Sequence, residues 1–277
     1  MEVTFFKPKS VLLRRYMDGY YFLTKVREEG DIRYLTFPNN FSIISVAQNA
    51  SLELTAYSGV VQERKKNGFY SALICHYIKP IEAVYKGAVE EVTFYFKPLG
   101  LNAFLTAPLS QYPQHTSKFL PYPDYKSAML AILSETDIAT RRDMIEDYWL
   151  SKLNGFKHDF LFDVIKDLSR TDDEISILEI ARKYHTSRQT INKQFMQHIG
   201  KSPVAFRKIH RFREVLAQKT IPGTREETLT ALSYACLFYD QSHMIKEFKQ
   251  LTGLTPKTFF KMIHLNADGL GNWLFKS

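Results

Sequence analysis

The chain has 277 residues, 45% of them hydrophobic and 14% aromatic, with a formal net charge of +8 and two cysteines. That length and composition suit one large or two ordinary folded domains and exclude a disordered chain. No apolar run approaches the roughly 20 residues of a membrane helix, and Met1 to Pro8 lack the layout of a signal peptide. Cys75 and Cys236 each sit in an apolar segment, which excludes a disulfide framework or a Cys-rich zinc site and makes a reducing cytoplasm the expected compartment.

Residues 1–118 read as a β-rich domain. Ile43 to Val46, Leu52 to Thr55 and Val92 to Phe96 are β-branched and aromatic runs bounded by Pro, Asn and Gly. Asn67-Gly68, after Arg64-Lys65-Lys66, predicts a tight hairpin turn between two apolar stretches. Lys97-Pro98-Leu99-Gly100 ends a strand, with short helical or irregular structure expected as far as Pro108. A small antiparallel barrel or sandwich accounts for this pattern.

The same region offers no chemistry. Its two histidines, His76 and His115, are far apart in sequence, and no nucleophile motif or Gly-rich phosphate loop accompanies them. No metal and no cofactor are therefore expected. Glu90-Glu91 is a carboxylate pair, but neighbours in a strand point to opposite faces, so a loop or strand edge is the expected setting. Tyr20, Tyr21, Phe22, Tyr34, Phe37, Phe69, Tyr70, Phe94, Tyr95 and Phe96 are expected mainly in the core, with a few left to line a ligand pocket or a dimer face.

Pro113, Pro121 and Pro123 mark an irregular connector over residues 109–126, after which the period becomes helical. Tyr125 to Leu133 and Ile138 to Leu153 predict two helices in a connector spanning 119–157, packed on the sheet or on each other. Residues 158–277 then read as all-α. Phe160 to Leu168 is a first helix, Asp172-Asp173-Glu174 a polar break, and Ile177 to Tyr184 a second short helix with Ile180 and Ala181 inward.

Ser187 to Gly200 carries the clearest signals. Ser187 is a good N-cap, Ile191, Phe195 and Ile199 recur at helical spacing, Gly200 suits the stop, and Ser202-Pro203 opens the next helix. The opposite face presents Gln189, Thr190, Asn192, Lys193 and Gln197, side chains that hydrogen-bond at their tips. A short helix, a turn through Tyr184-His185-Thr186 and a polar-faced second helix match the helix-turn-helix plan. From Arg182 to Lys219 there are ten Lys and Arg against one acid, Glu214. The helix from Pro203 to Lys219 buries Phe206, Ile209, Phe212 and Leu216 and is expected to turn Arg207, Lys208, Arg211 and Arg213 outward. Of these, Arg207, Lys208 and Arg211, together with Arg188 and Lys201, would meet phosphates and make affinity fall with salt.

After Pro222-Gly223 the pattern restarts. Phe195-x4-Gly200-x-Ser202-Pro203-x2-Phe206 recurs as Phe248-x4-Gly253-x-Thr255-Pro256-x2-Phe259, 53 residues on. A second recognition helix is predicted from about Gln241 to Leu251, with Met244, Phe248 and Leu251 buried and Ser242, His243, Ile245, Lys246 and Lys249 outward.

On these residues, Ile177 to Phe259 resembles the DNA-binding domain of the AraC/XylS family of bacterial transcription regulators. Phe238-x2-Gln241-Ser242 and Phe248-Lys249-x3-Gly253-Leu254-Thr255-Pro256 belong to the same resemblance, and Phe96-Lys97-Pro98-Leu99-Gly100 is similar to part of the β-barrel regulatory domain of a subgroup. The resemblance implies two helix-turn-helix units on one long helix, placing recognition helices in successive major grooves of double-stranded DNA. It implies base contacts at Gln189, Asn192 and Lys193, and at Ser242, Ile245 and Lys246. Leu237 and Ser233 stand where the family usually has Gly and Ala, which points to a looser or differently angled second unit, and Phe260 stands for its closing Arg, which removes one expected polar contact. The expected activity is regulation of transcription, not catalysis. RNA polymerase, a small-molecule effector and a second copy of the chain stay open as further partners. The alternatives are an enzyme, which would need convergent acid, base or metal groups in the β domain, and a protein-interaction module served by the basic helices.

Overall fold

The computed structural model describes residues 1–64, 68–113, 116–170, 175–220, 229–236, 238–262 and 273–276. The expected β-plus-helical architecture is present. One five-stranded sheet has the order β1 (Glu2–Phe6), β2 (Met17–Lys25), β9 (Val89–Phe96), β4 (Ser42–Gln48), β7 (Phe69–Ile74). The other runs β10 (Trp273–Lys276), β3 (Ile32–Thr36), β8 (Ile81–Lys86), β6 (Ser58–Glu63), β5 (Ala50–Leu54). All pairings are antiparallel except β6 with β8.

The first sheet is covered on both faces, which explains its near-continuous apolar strands. On β9, Val92, Phe94 and Phe96 point toward α1 (Tyr125–Ser134) and α2 (Ile138–Ser151), where Trp149 packs edge-on to Phe94, Phe96 and Phe104 at 4.9–5.5 Å. Alternate residues of the same strands face the other sheet, and there Tyr21, Leu23, Tyr34, Tyr70 and Tyr85 form a second core. Asp137 caps α2 by accepting the Thr140 amide.

The Asn67-Gly68 expectation is corrected. Asn67 lies outside the described residues, but β6 and β7, on either side, pair in different sheets and not with each other. The chain crosses between sheets at a corner pinned by Asn49, which donates to the Gly68 carbonyl at 2.6 Å and accepts from the Arg64 amide at 2.6 Å. Asn49 adopts φ 52°, a conformation Asn tolerates, and a β-carbon on Gly68 would meet the Ala50 backbone at 2.7 Å.

The helical domain comprises α3 (Leu161–Leu168), α4 (Ile177–Lys183), α5 (Arg188–His198), α6 (Pro203–Thr220), α7 (Leu229–Ala235), α8 (Gln241–Thr252) and α9 (Pro256–Met262). The polar break at Asp172 to Glu174 and the Pro222-Gly223 junction fall outside the described residues. Two apolar cores share α6. Phe206 joins Leu161, Val164, Ile180, Ile191 and Phe195, while Ile209, Phe212, Val215 and Leu216 join Met244, Phe248, Leu251 and Phe259.

Each of these cores also takes one residue from a loop of the β domain. Leu99, at φ 64°, is 2% exposed in the first, and Phe37, fully buried, lies 4.9 Å from the Phe259 ring in the second. The all-α reading of residues 158–277 is corrected at its far end: the last described strand, β10, pairs with β3 and so belongs to a sheet of the β domain.

Candidate nucleic-acid interface

The local signals for α5 act as expected. The Ser187 hydroxyl accepts the Thr190 amide at 3.0 Å, and Gly200, at φ 77°, donates to the Phe195 carbonyl. Ser202 in turn accepts the Ala205 amide and opens α6 behind Pro203. Ile191, Phe195, His198 and Ile199 are buried. Arg188, Gln189, Asn192, Lys193 and Met196 are exposed, and their spacing puts them on one face of the helix, with Thr190 half-buried at its edge. Ser187→Ala is expected to cost about 1 kcal/mol and to speed hydrogen exchange at the Thr190 amide, read by a urea melt and by exchange; no change in either would remove the cap from the account.

The second unit repeats the plan with one difference. Asp240 caps α8 by accepting the His243 amide at 2.7 Å, Met244, Phe248 and Leu251 are buried, and Gly253 ends the helix at φ 75°. Ser242 and Lys246 are exposed, while Ile245 and His243 are half-buried. In the first turn the Thr186 amide reaches back to the Ala181 carbonyl at 2.9 Å, and in the second the Phe238 amide reaches back to Ser233 at 2.8 Å. The caps that follow are Ser187, adjacent to Thr186, and Asp240, two positions beyond Phe238. The second turn is therefore one residue longer, and the additional residue, Tyr239, is 87% exposed at the mouth of α8. Ala181 and Ser233 are 52 residues apart whereas Phe195 and Phe248 are 53 apart, and this one-residue shift is the sequence signal for it. Leu237, the expected source of looseness, lies outside the described residues.

Several cations expected on the phosphate side are committed elsewhere. Arg211 is buried, and its guanidinium donates to both oxygens of Glu247 at 3.0 Å, tying α6 to α8. Lys208 lies 3.7 Å from the same carboxylate and His243 3.2 Å from it. Arg207 donates to the Ile175 carbonyl. Arg213 donates to Pro38 and Phe37 carbonyls of the β domain, and Lys201, 3% exposed, donates to the Cys75 carbonyl. The outward placement of Arg211, Arg213 and Lys201 is thus corrected: α6 is clasped by α8 on one side and by the β domain on another, so its basic residues find carbonyls and a carboxylate in place of solvent. Burial brings the Lys201 ammonium down to about 8 and pushes the Cys75 thiol up to about 12.

The Glu90-Glu91 reading is corrected as well. Glu90 reaches Arg141, but Glu91 is 1% exposed inside the β domain. Its carboxylate accepts from the hydroxyls of Thr93 (2.6 Å), Tyr85 (2.9 Å), Tyr21 (3.4 Å) and Tyr70. Strand alternation, which puts Glu91 with Thr93 and Tyr95, was the signal for it. These residues line a cavity of about 90 Å³ between the sheets. Among the described residues there is no cluster of His, Cys, Asp and Glu suited to a metal ion.

Residues 180–262 match the family model of a helix-turn-helix domain. No curated protein matches the chain. Among solved structures it is similar to ToxT from Vibrio cholerae O395 bound to (E)-4-(8-methylnaphthalen-1-yl)but-3-enoic acid, with 12% identity over 87% of this chain and 98% of that one and a TM-score of 0.42. It is also similar to unsaturated fatty acid bound wild-type ToxT from Vibrio cholerae strain SCE256, with 13% identity over 88% and 94% and a TM-score of 0.39. These superpositions are too loose to carry any residue's role across. The paired units on α6 and the family match define residues 180–262 as a helix-turn-helix domain.

Proposed function

We propose that the chain regulates transcription in the cytoplasm by sequence-specific binding to double-stranded DNA, with α5 and α8 in successive major grooves and RNA polymerase as the machinery it acts on. The reading rests on the exposed polar face of α5, Gln189, Asn192 and Lys193, set opposite a fully packed stripe in a unit that recurs around α8. Gln and Asn tips suit adenine and Lys suits guanine. Arg188 supplies phosphate charge beside them, and Ser242, Ile245 and Lys246 contribute from the second helix. The face of α5 is the more exposed of the two, so it carries more of the discrimination. Two half-sites about one helical turn apart are expected.

The β domain is proposed as the effector-binding part, for a physical reason. Tyr77 lines the cavity and donates to the Phe37 carbonyl at 2.8 Å, the same carbonyl that Arg213 of α6 donates to. The Phe37 ring fills the core of the second unit. A ligand that moves Tyr77 acts on α6 and on that core through a single residue.

A gel-shift titration against genomic fragments, repeated over a salt series, tests the DNA reading. Gln189→Ala and Lys193→Ala are each expected to cost about 1–3 kcal/mol at the preferred site with the fold intact by circular dichroism. Failure to find any competitor-resistant complex would sink it. Unchanged binding in both variants would favour a protein-interaction module.

A further inference from the structure

The cavity between the sheets has a composition of its own. Six tyrosines line it, Tyr21, Tyr34, Tyr70, Tyr77, Tyr85 and Tyr95, together with aliphatic side chains. Glu91 is the one charged residue among those that line it, with no Lys, Arg or His. Its volume, about 90 Å³, is several times the ~10–15 Å³ that one water needs.

Four hydroxyls donate to the Glu91 carboxylate, so its lone pairs are satisfied, yet it forms no ion pair among the described residues. Hydroxyl donors relieve part of the cost of burying a carboxylate, but they bring no counter-charge. Burial pushes the Glu91 carboxyl above the usual carboxylate range, and the hydroxyl donations pull against that rise. The cation on the neighbouring element is Arg213, outside the lining, beyond Tyr77 and Tyr95, and it is taken up by the Phe37 and Pro38 carbonyls. Electrostatically the cavity is therefore negative at the Glu91 end and bounded by positive charge at the α6 end.

We infer that this cavity takes a small organic cation, an alkylammonium ion, with its charge beside Glu91 and its alkyl groups among the tyrosines. Tyrosine rings attract cations through their π faces, most strongly where water is excluded. The ammonium supplies the counter-charge that the fold omits. A carboxylate ligand would meet the like charge of Glu91 with no cation in the lining to offset it. The inference rests on the reading of the β domain as the effector-binding part.

An isosteric series separates charge from shape. Choline and n-butylammonium are titrated into the full chain by calorimetry, beside 3,3-dimethylbutan-1-ol, the uncharged isostere of choline, and 3,3-dimethylbutanoate, an anion of similar size. Both cations are expected to saturate, choline about tenfold or more tighter than the alcohol, and the anion is expected not to bind. Glu91→Gln is expected to lose that tenfold for choline and to leave the alcohol unchanged. Equal or tighter binding of the alcohol or the anion, no saturable binding of either cation, or indifference to Glu91→Gln overturns the inference. Should Glu91→Gln fail to fold by circular dichroism, the series on the natural chain decides alone. DNA titration without any probe runs alongside. A DNA complex with no cation binding refutes the ligand class only, whereas cation binding with no DNA complex refutes the regulator only.

Discussion

Glu247→Ala is expected to cost about 3–5 kcal/mol and to remove the second recognition helix from the DNA complex. Glu247 is 4% exposed and accepts two hydrogen bonds from the Arg211 guanidinium at 3.0 Å, with Lys208 and His243 on the same carboxylate. Alanine takes the Glu247 charge away from Arg211, which stays buried beneath α8, and this favours opening the contact between α6 and α8. Ser242, Ile245 and Lys246 then lose their fixed direction, while α5, built on the separate core around Phe195, keeps its own. Glu247→Gln retains an acceptor oxygen and should lose less. The pair Arg211→Met with Glu247→Leu removes both charges and should fall near the natural stability. Urea melts and gel shifts on the three variants check this. A Glu247→Ala loss within the ~0.5 kcal/mol of a surface substitution would show that the pair does not hold the unit.

What the sequence reveals and what it hides divide along the range of the interaction. Ser187, Gly200 and Ser202-Pro203 are legible because a cap, a left-handed stop and a helix start are made within a few residues of themselves. The buried stripes of α5, α6 and α8 are legible for the same reason, through their period. Arg211, Arg213 and Lys201 read as solvated because a helical wheel does not register a second element covering that side. Phe37 and Leu99 sit in loops, and only the docked domains give them cores to fill. Glu91 could be placed on a strand face, but its tyrosines come from three other strands, β2, β7 and β8. The crossover at Gly68 looked like a hairpin because turn chemistry is local and sheet membership is not. The short strand Trp273–Lys276 has meaning only beside β3.

Between pH 8 and 9.5, the stability of the chain should carry a rising component of roughly 2 kcal/mol that is absent from Lys201→Met. Lys201 is 3% exposed where the first unit meets the β domain, its ammonium donating to the Cys75 carbonyl, and next to it Gly200 lies close against the His76 ring and the Cys75 sulfur. No carboxylate is bonded to it among the described residues, so burial lowers its folded pKa from the ordinary 10.5 to about 8. Below pH 8 both folded and unfolded chains hold the proton, and the cost of the buried charge is constant. As pH rises through 8 the folded chain releases the proton while the unfolded chain keeps it to 10.5, so the unfolded state binds more protons and stability climbs. The full rise, near pH 10.5, is roughly 3 kcal/mol. Tyr21, Tyr70, Tyr85 and Tyr95, held well above their usual value of 10 by burial, push the other way once free tyrosines ionise, which confines the reading to pH 9.5 and below. The Cys75 thiol, raised to about 12 by burial and held back by Lys201, rises further in Lys201→Met, so it stays protonated in both folded proteins up to pH 9.5 and opposes the rise alike in that window. The measured quantity is thus the difference in slope of the urea midpoint between the natural chain and Lys201→Met, which cancels the shared titrations. Parallel slopes would mean that Lys201 reaches solvent at that seam, and that the β domain does not hold the first unit by the buried contact described.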